Sequence, residues 1–456
     1  MPVELSVGCG IFYFMRFAFL ASLILFKLTT IMTAQTSVSL AEIWDREHIT
    51  TLLPSNARHS DLKTYLEALK KSGVRVSEVG RSVADREIYQ IEFGRGPLKV
   101  FLWSQMHGDE PTATSALIDL FAILQRNRDK DWVKAIEEKL TIRAVPMLNP
   151  DGAEAYIRRN MQGLDINRDA LNLKSPEAQI LKRLRDEWSP QVGFNLHNQN
   201  SLTAAGQTNK QAAISFLVVF GDAQKTTSEG HERNKRLTST MIRSIEPFIA
   251  GHIAKYDDGW APTAFGDNFS AWGTPVILIE TGGLNGQSEM FLVKMNFVAI
   301  ATALTALADG SEKNVSPAAY DQLPNNASGR LFSFVFRNAS VVRPARKEAS
   351  LHGPDITITD IGAITERRRE AFVSPTVIRQ IGDLSGRSGL EEFDASNFYV
   401  VGRFQPLEVG GFGEMLFYRR DRQIDWSSAE LEKSFPPDAI FSLGKWIKGE
   451  GVIPKR

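Results

Sequence analysis

The sequence predicts an α/β protein whose core is a mixed, largely parallel sheet, followed by a smaller β-rich domain. Two patterns support this fold class. Between residues 99 and 309, compact apolar runs of buried-strand length alternate with helical stretches. Beyond residue 311 the composition shifts to Ser, Asn, Pro and Asp, and short strand patterns follow. A chain of 456 residues has room for two or three domains at roughly 100–200 residues each.

The first elements along the chain are a helix and two strands. An amphipathic helix is predicted over residues 60–71, where leucines recur at helical spacing and Gly73 ends the pattern. Strand-like runs follow at residues 74–79 and 87–93. Later strands are predicted at 99–105, 140–148, 192–196, 214–220 and 275–279, and later helices at 111–124, from 175 onwards and at 299–309.

These elements predict a first domain over residues 43–310. A linker is predicted over residues 311–329, and residues 330–456 form the β-rich domain, whose role the sequence does not reveal. The strand candidates in that domain lie at 331–336, 355–358, 398–404 and 414–418.

The amino-terminal residues have the order of a secretory signal peptide. Arg16 precedes an apolar run over residues 17–26, and small residues follow near position 34, so residues 1–34 are predicted to be cleaved. Met15 is an alternative start. The other interpretation is an uncleaved anchor, but a span needs about 20 uninterrupted apolar residues, and Lys27 interrupts this run. We therefore expect a secreted or periplasmic protein with no stable membrane insertion.

Composition limits the function. Hydrophobic residues make up 43% and charged residues 23%, which excludes a disordered or fibrous chain. The 53 basic and 53 acidic residues cancel, so no excess charge exists to neutralise phosphates, and nucleic acid is not expected as a partner. The one cysteine, Cys9, excludes a disulfide framework and a cysteine-ligated zinc finger. Any metal site must be built from His, Asp and Glu.

Polar side chains at predicted strand ends are the candidates for such a site. His107 follows the strand at 99–105, and Glu110 lies three residues later, where both side chains can reach one Zn²⁺. His197 ends the strand at 192–196, and ligands in open α/β sheets bind beyond the carboxyl ends of strands. Glu280 follows an aliphatic run, where burial would raise its pKa toward that of a general base.

An arginine-rich stretch lies between these segments. It begins after Asn149-Pro150-Asp151-Gly152, a turn sequence, and contains Arg158 and the pair Asn167-Arg168. Planar guanidinium groups bind carboxylates through two hydrogen bonds, so this stretch is either a carboxylate-binding segment or a solvated loop.

Taken together, these strings resemble the zinc carboxypeptidase family, the carboxypeptidase A-like metallopeptidases. The resemblance covers about residues 60–308 and leaves the carboxyl-terminal third uncovered. It rests on the order and spacing of His107-x-x-Glu110, Asn149-Pro150-Asp151-Gly152, Arg158, Asn167-Arg168, His197 and Glu280. It implies a mixed sheet with helices on both faces.

The resemblance also implies a role for each residue. His107, Glu110 and His197 would bind one Zn²⁺ per chain and leave a fourth position for water, as in catalytic rather than structural zinc sites. Glu280 would be the general base. In addition, Arg158 would hold the oxyanion, and Asn167 with Arg168 would bind the free carboxylate of a peptide.

Two features of the family are less well matched. The family uses a tyrosine before the catalytic glutamate, and Tyr256 is the one tyrosine between His197 and Glu280, although its surroundings differ from those of the pancreatic enzymes. The residue at the floor of the specificity pocket is not evident; Asp267 is a candidate, or else a loop residue.

Three functions remain open at this stage. The leading one is a secreted zinc carboxypeptidase that acts on peptide or protein carboxyl termini. The second is a zinc amidase or deacylase on the same fold, with cell-wall peptides or N-acyl amino acids as substrates. The third is a non-catalytic module that binds a peptide terminus. The sequence does not reveal the oligomeric state or the residue preferred at the substrate terminus.

Overall fold

The computed structural model describes residues 38–343, 354–365 and 375–456; the predicted signal peptide lies outside these residues. The chain divides into two compact units. The first holds the described residues up to Asn198, with Phe216–Thr281 and Ser288–Leu323. The second holds Gln199–Ser215, Gly282–Gln287 and Pro324–Arg456, so it includes two short segments that the sequence assigns to the first domain.

The first unit is built on an eight-stranded sheet. In chain order its strands are β1 (Arg75–Arg81), β2 (Glu87–Gly94), β3 (Leu98–Ser104), β4 (Leu140–Val145), β5 (Val192–Asn198), β6 (Ile214–Val219), β7 (Ile253–Lys255) and β8 (Val276–Thr281). Their order across the sheet is β1-β2-β4-β3-β5-β8-β6-β7. Strand β2 runs antiparallel to β1 and β4, whereas β4, β3, β5 and β8 are parallel. The predicted mixed sheet is confirmed.

Helices connect and cover these strands. They are α1 (His59–Lys71), α2 (Thr112–Arg126), α3 (Asp131–Lys139), α4 (Pro150–Ala155), α5 (Pro176–Trp188), α6 (Glu229–Ile249), α7 (Phe265–Ala271) and α8 (Glu289–Asp309). Ser175 caps α5 by accepting a hydrogen bond from the backbone N–H of Ala178, and Pro176 occupies its first position.

Strand β3 shows that both faces of the sheet are covered. Four consecutive residues of this strand, Val100 to Trp103, are at most 1% exposed, although neighbouring side chains point to opposite faces. On one face, Trp103 packs against Phe269 of α7, with ring centroids 4.4 Å apart.

Helix α8 is long and apolar enough to cross a membrane by length and composition, but 78% of its most apolar window is buried in the protein, as in a core helix.

The second unit is a β-rich structure, as predicted. Its main sheet consists of β9 (Leu331–Arg343), β10 (Asp355–Thr365), β11 (Thr376–Gly382), β12 (Ser388–Asp394), β13 (Phe398–Gly402), β14 (Met415–Arg419), β15 (Ala439–Ser442) and β16 (Lys445–Lys448). The order is β11-β10-β9-β13-β14-β15-β16, and β12 pairs with β9. Its core contains Phe336, whose ring lies 5.1 Å from that of Phe441 and 6.0 Å from that of Trp446.

The segment predicted as a linker contains regular structure. It includes short helices at Ser311–Asn314 and Ala318–Asp321 and the two-residue strand Asn326–Ala327. That strand pairs with Ala204–Ala205 within the second unit.

Candidate metal centre

The loop that carries His107 is fixed by the turn at Asn149. Beyond the end of β3, Gln105 has a left-handed backbone conformation (φ 50°) and redirects the chain. Its carbonyl oxygen accepts a hydrogen bond from the backbone N–H of Asn149 at 3.0 Å. A Cβ atom at Gly108 would lie 1.9 Å from the carbonyl carbon of Gly152, so this close approach requires glycine. The start of helix α4, which Asn149 caps, thus supports the loop that positions His107.

Three buried side chains meet at the carboxyl ends of β3 and β5. His107 Nδ1 lies 2.7 Å from Glu110 Oε1, and His197 Nδ1 lies 2.7 Å from Glu110 Oε2. One potential ligand atom from each of the three residues lies within 4.8 Å of the others. Both histidines are 2% exposed, so their ring nitrogens depend on partners inside the protein.

Both ring nitrogens of His107 lie against carboxylates. Nε2 lies 3.1 Å from Asp165 Oδ1, and Nδ1 lies 2.7 Å from Glu110 Oε1 and 3.1 Å from Nη1 of Arg158. Burial lowers the pKa of His107, but the charge of Glu110 and the hydrogen bond to Asp165 outweigh it and raise this pKa. Binding of a metal through Nδ1 would require the neutral ring, with its proton on Nε2 and donated to Asp165. This donor set fits a zinc ion, which binds imidazole nitrogen and carboxylate oxygen.

Glu280 lies beside His197 in the sheet. The two residues are paired in register across the parallel strands β8 and β5. Because paired residues of neighbouring strands point to the same face, the Glu280 side chain points to the face of the sheet that carries the His197 imidazole. Glu280 is 7% exposed, so the site contains a second buried carboxylate besides Glu110.

Comparison with known proteins identifies the region that carries this site. A family model described as zinc carboxypeptidase matches residues 62–247. This match covers less than half of the chain. The match includes His107, Glu110 and His197, and it ends before Tyr256 and Glu280.

Curated relatives resemble only part of the chain. Carboxypeptidase 2 of Trichophyton rubrum is 30% identical over 109 residues, which is 24% of this chain and 20% of that protein. Carboxypeptidase SOL1 of Arabidopsis thaliana is 32% identical over 149 residues, 28% of this chain and 30% of that protein. The chain thus matches between about a fifth and a third of the length of these relatives. A solved metallo-carboxypeptidase from Burkholderia cenocepacia is similar over 55% of this chain and 69% of its own, with 17% identity and a TM-score of 0.46.

Opposing effects set the charge states in this candidate metal centre. Burial favours the neutral form of Glu110, but the neighbouring His197 and His107 outweigh it and hold the pKa of Glu110 well below its usual range. Burial lowers the pKa of His197. Burial, with the nearby charge of Glu110, raises the pKa of Glu280 well above its usual value. A cation bound beside these two groups would favour the ionised form of both.

The predicted arginine-rich segment reaches the same site. Arg158 donates from Nε to Asp165 Oδ2 at 3.0 Å and from Nη1 to Glu110 Oε1 at 3.3 Å. The backbone N–H of Asn167 donates to Asp165 Oδ1, also at 3.0 Å. Asn167 Oδ1 accepts from the backbone N–H of Phe265, which ties this turn to α7.

Arg168 and Tyr256 are the two further substrate-binding residues that the sequence proposes. Arg168 is exposed and donates from Nη1 to the carbonyl oxygen of Asn167 at 2.7 Å. Burial and the charges of Glu280 and Glu110 raise the pKa of Tyr256 to about 12. Direct hydrogen bonds thus connect Glu110 to His107 and to Arg158, and Asn167 joins them through Asp165.

The sequence analysis did not identify two carboxylates that hydrogen-bond to residues around the metal centre, Asp165 and Glu177. Asp165 contacts His107, Arg158 and Asn167, and it lies 58 residues from His107 along the chain, so no local spacing reveals the pairing. A carboxylate that binds the second nitrogen of a ligand histidine orients the ring and strengthens the ligand. The sequence does contain Asp165 within the string before Asn167-Arg168, which is the signal that could have found it.

A second buried carboxylate, Glu177, holds the loop between Arg158 and Asp165. It is 0% exposed and accepts from Asn160 Nδ2 at 3.1 Å and from the backbone N–H of Val83 at 3.2 Å. Asn160 Oδ1 in turn accepts from the backbone N–H of Leu164 at 3.0 Å. This chain of hydrogen bonds fixes the turn whose two ends reach the metal centre.

Proposed function

We propose that this protein is a zinc-dependent carboxypeptidase that hydrolyses the last peptide bond of peptides or proteins. The proposal rests on the pairing of Glu280 with His197 in the sheet. This pairing puts the Glu280 carboxylate beside the three potential metal ligands, and Glu280 is not one of those ligands. We also propose that the chain is secreted or periplasmic, on the signal pattern over residues 1–34.

The three donors would hold one zinc ion per chain. His107 and His197 would each offer Nδ1, and Glu110 would offer its carboxylate. Three protein ligands leave a position for water, which is the mark of a catalytic site. Bound zinc supplies Lewis-acid polarisation and lowers the pKa of a coordinated water to about 7.

Glu280 would move the proton that hydrolysis requires. As the oxygen of the attacking water bonds to the scissile carbonyl carbon, the Glu280 carboxylate accepts the proton that this water loses. The carboxylic acid so formed gives the proton to the amide nitrogen while the C–N bond breaks, and the amine leaves. The Arg158 guanidinium, held by Asp165, would stabilise the negative charge that develops on the carbonyl oxygen.

The other residues would recognise the end of the substrate. Asn167 and Arg168 would bind the terminal carboxylate, since an exposed guanidinium beside an amide is suited to two-point recognition. Tyr256, whose high pKa keeps its hydroxyl protonated, would donate a hydrogen bond to the bound substrate.

A peptide assay read by mass tests this proposal. The full chain should shorten a peptide from its free carboxyl end one residue at a time, and a chelator should stop the reaction until zinc is restored. A peptide with an amidated terminus is the matched control and should react much more slowly.

The same assay separates the two alternatives. Release of an acyl group from N-acyl amino acids, without shortening of peptides, would favour the amidase or deacylase. Binding of peptides without any hydrolysis at full zinc occupancy would favour the non-catalytic module.

A further inference from the structure

Asn198 joins the strand that carries His197 to the segment that carries Glu110. It is the last residue of β5 and directly follows His197. Its side chain contacts Thr112, the first residue of helix α2, which lies two positions after Glu110. We propose that Asn198 is a positioning residue of the metal centre, which holds the His197 and Glu110 donors together for one zinc ion. This inference rests on the zinc site of the proposed function.

The contact between Asn198 and Thr112 consists of two hydrogen bonds. Nδ2 of Asn198 donates to Oγ1 of Thr112 at 2.7 Å, and Oδ1 of Asn198 accepts from the backbone N–H of Thr112 at 3.3 Å. The donor and the acceptor group of the amide are therefore both used. Two bonds between one side chain and one residue fix the orientation of the two segments as well as their distance.

Helix α2 obtains part of its amino-terminal cap from this contact. The first backbone N–H groups of a helix have no partner within it. Pro111 occupies the cap position, and its side chain has no oxygen that could accept from them. Every residue from Thr112 to Leu124 is buried, so water is a poor substitute. The strand that carries His197 thus supplies an acceptor that the helix sequence lacks.

The backbone of Asn198 also reaches the Glu110 carboxylate. Its N–H donates to Oε2 at 3.2 Å, and the same oxygen lies 2.7 Å from Nδ1 of His197. The side-chain contact at Thr112 and the backbone contact at Glu110 therefore join the same two segments. A group that orients a ligating carboxylate strengthens the binding of the metal.

Loss of a helix cap and loss of a positioning residue have different consequences. A residue that acts only as a cap affects the stability of the fold and leaves the zinc affinity of the folded protein unchanged. A positioning residue affects the affinity as well, because a looser pair of ligands must be ordered when the metal binds.

Competition with a chelator of known zinc affinity tests the proposal on the full chain. In Asn198→Ala the backbone N–H that contacts Glu110 remains, and the contact with Thr112 is lost. The zinc affinity should fall about 10- to 100-fold, as for other partners of metal ligands.

Ser228→Ala is the matched control. Ser228 caps α6 by accepting a hydrogen bond from the backbone N–H of His231 at 3.1 Å, and neither residue belongs to the donor set. Urea unfolding of the zinc-free proteins should show a loss of stability in both cap variants. Only Asn198→Ala should bind zinc more weakly than the wild type.

A second variant tests whether the contact with Thr112 carries the effect. Thr112→Val removes Oγ1 and keeps the shape of the side chain and the helix backbone. Alone it should lower the zinc affinity less than Asn198→Ala does, because one of the two hydrogen bonds remains. Combined with Asn198→Ala it should add no further loss, because both variants break the same contact.

Three results would overturn the proposal: wild-type zinc affinity in Asn198→Ala or in Thr112→Val, an equal loss of affinity in Ser228→Ala, or losses that multiply in the double variant. None of these measurements requires peptidase activity. A chain that binds zinc but does not shorten peptides would overturn the proposed function and leave this inference standing. A wild-type chain that binds no zinc would overturn both.

Discussion

Glu280 and His197 occupy paired positions on two parallel strands, β8 and β5, one residue before each strand ends. The backbone ladder of the sheet therefore fixes the spacing between the proposed base and one of the proposed zinc ligands. Sites built on strands hold their geometry more rigidly than sites on loops. The His107 loop obtains comparable support from the Asn149 turn and from Asp165.

Loss of His107 should remove the metal. In His107→Ala, two donors remain, and two are too few for tight binding of a catalytic zinc. We expect substoichiometric zinc after dialysis, measured by elemental analysis, with an unchanged circular dichroism spectrum. His252→Ala, a histidine outside the donor set, should keep the wild-type zinc content. Full zinc occupancy in His107→Ala would refute the ligand set.

Asp165→Asn should weaken zinc binding without abolishing it. The variant keeps the shape of the side chain but loses the charge that orients His107 and pairs with Arg158. Loss of such a partner costs about 10- to 100-fold in metal affinity. Competition with a chelator of known affinity measures the change, and Asp131→Asn, at an exposed position, serves as the control. Equal affinities in the two variants would show that Asp165 does not support the ligand.

The effect of Arg168→Ala should depend on whether the carboxyl terminus of the substrate is free. A hydrogen bond between charged groups contributes about 1.5–3 kcal/mol, so KM should rise about 10- to 150-fold for peptides with a free carboxyl terminus. The slow reaction of amidated peptides should change little. Arg159→Ala, an exposed arginine nearby in the chain, should leave both reactions unchanged. Equal losses on the two substrates would assign Arg168 a structural role.

Asp267 should make stability depend on pH. Burial raises its pKa from 3.8 to about 6, so its ionised form is disfavoured in the folded state. The stability that this group contributes is complete below pH 3.8 and is lost as the pH rises through about 6. Asp267→Asn should therefore stabilise the protein by up to about 3 kcal/mol at about pH 7.5 and have little effect at about pH 4.

Urea unfolding at both pH values measures this effect. A variant that is less stable than the wild type at the higher pH would show that the Asp267 carboxylate, which accepts a hydrogen bond from the backbone N–H of Ala261, stabilises the fold when ionised.

Local patterns were sufficient to predict the main strands and the cluster of His107, Glu110 and His197. The apolar run before His107 is strand β3, and the run before Glu280 is strand β8. A short apolar run with the length of a strand, followed at once by a polar residue, is a local pattern. It can therefore be recognised in a single sequence. Helices α3 and α6 were not predicted. Pro247 within the last turns of α6 is a local signal against a helix, and tertiary packing overrides it.

Relationships between distant segments could not be predicted in this way. The register of Glu280 with His197 is set by the hydrogen bonds of the whole sheet, and the pairing of Asp165 with His107 depends on the folded turn before Asn167. Strand β9 is longer than predicted because it continues beyond a bulge formed by two polar residues, Arg337 and Asn338. Asn338 has a φ of 57° in this bulge.

The most direct test of the account is the turnover of Glu280→Gln with its zinc content measured on the same sample. Glutamine has nearly the same shape but cannot accept the proton, so kcat should fall by about 10²- to 10⁴-fold while zinc stays stoichiometric and KM changes little. Glu246→Gln, at an exposed position on α6, should retain full activity. A zinc-loaded Glu280→Gln enzyme with near-normal kcat would contradict the account, because another group would then be the base.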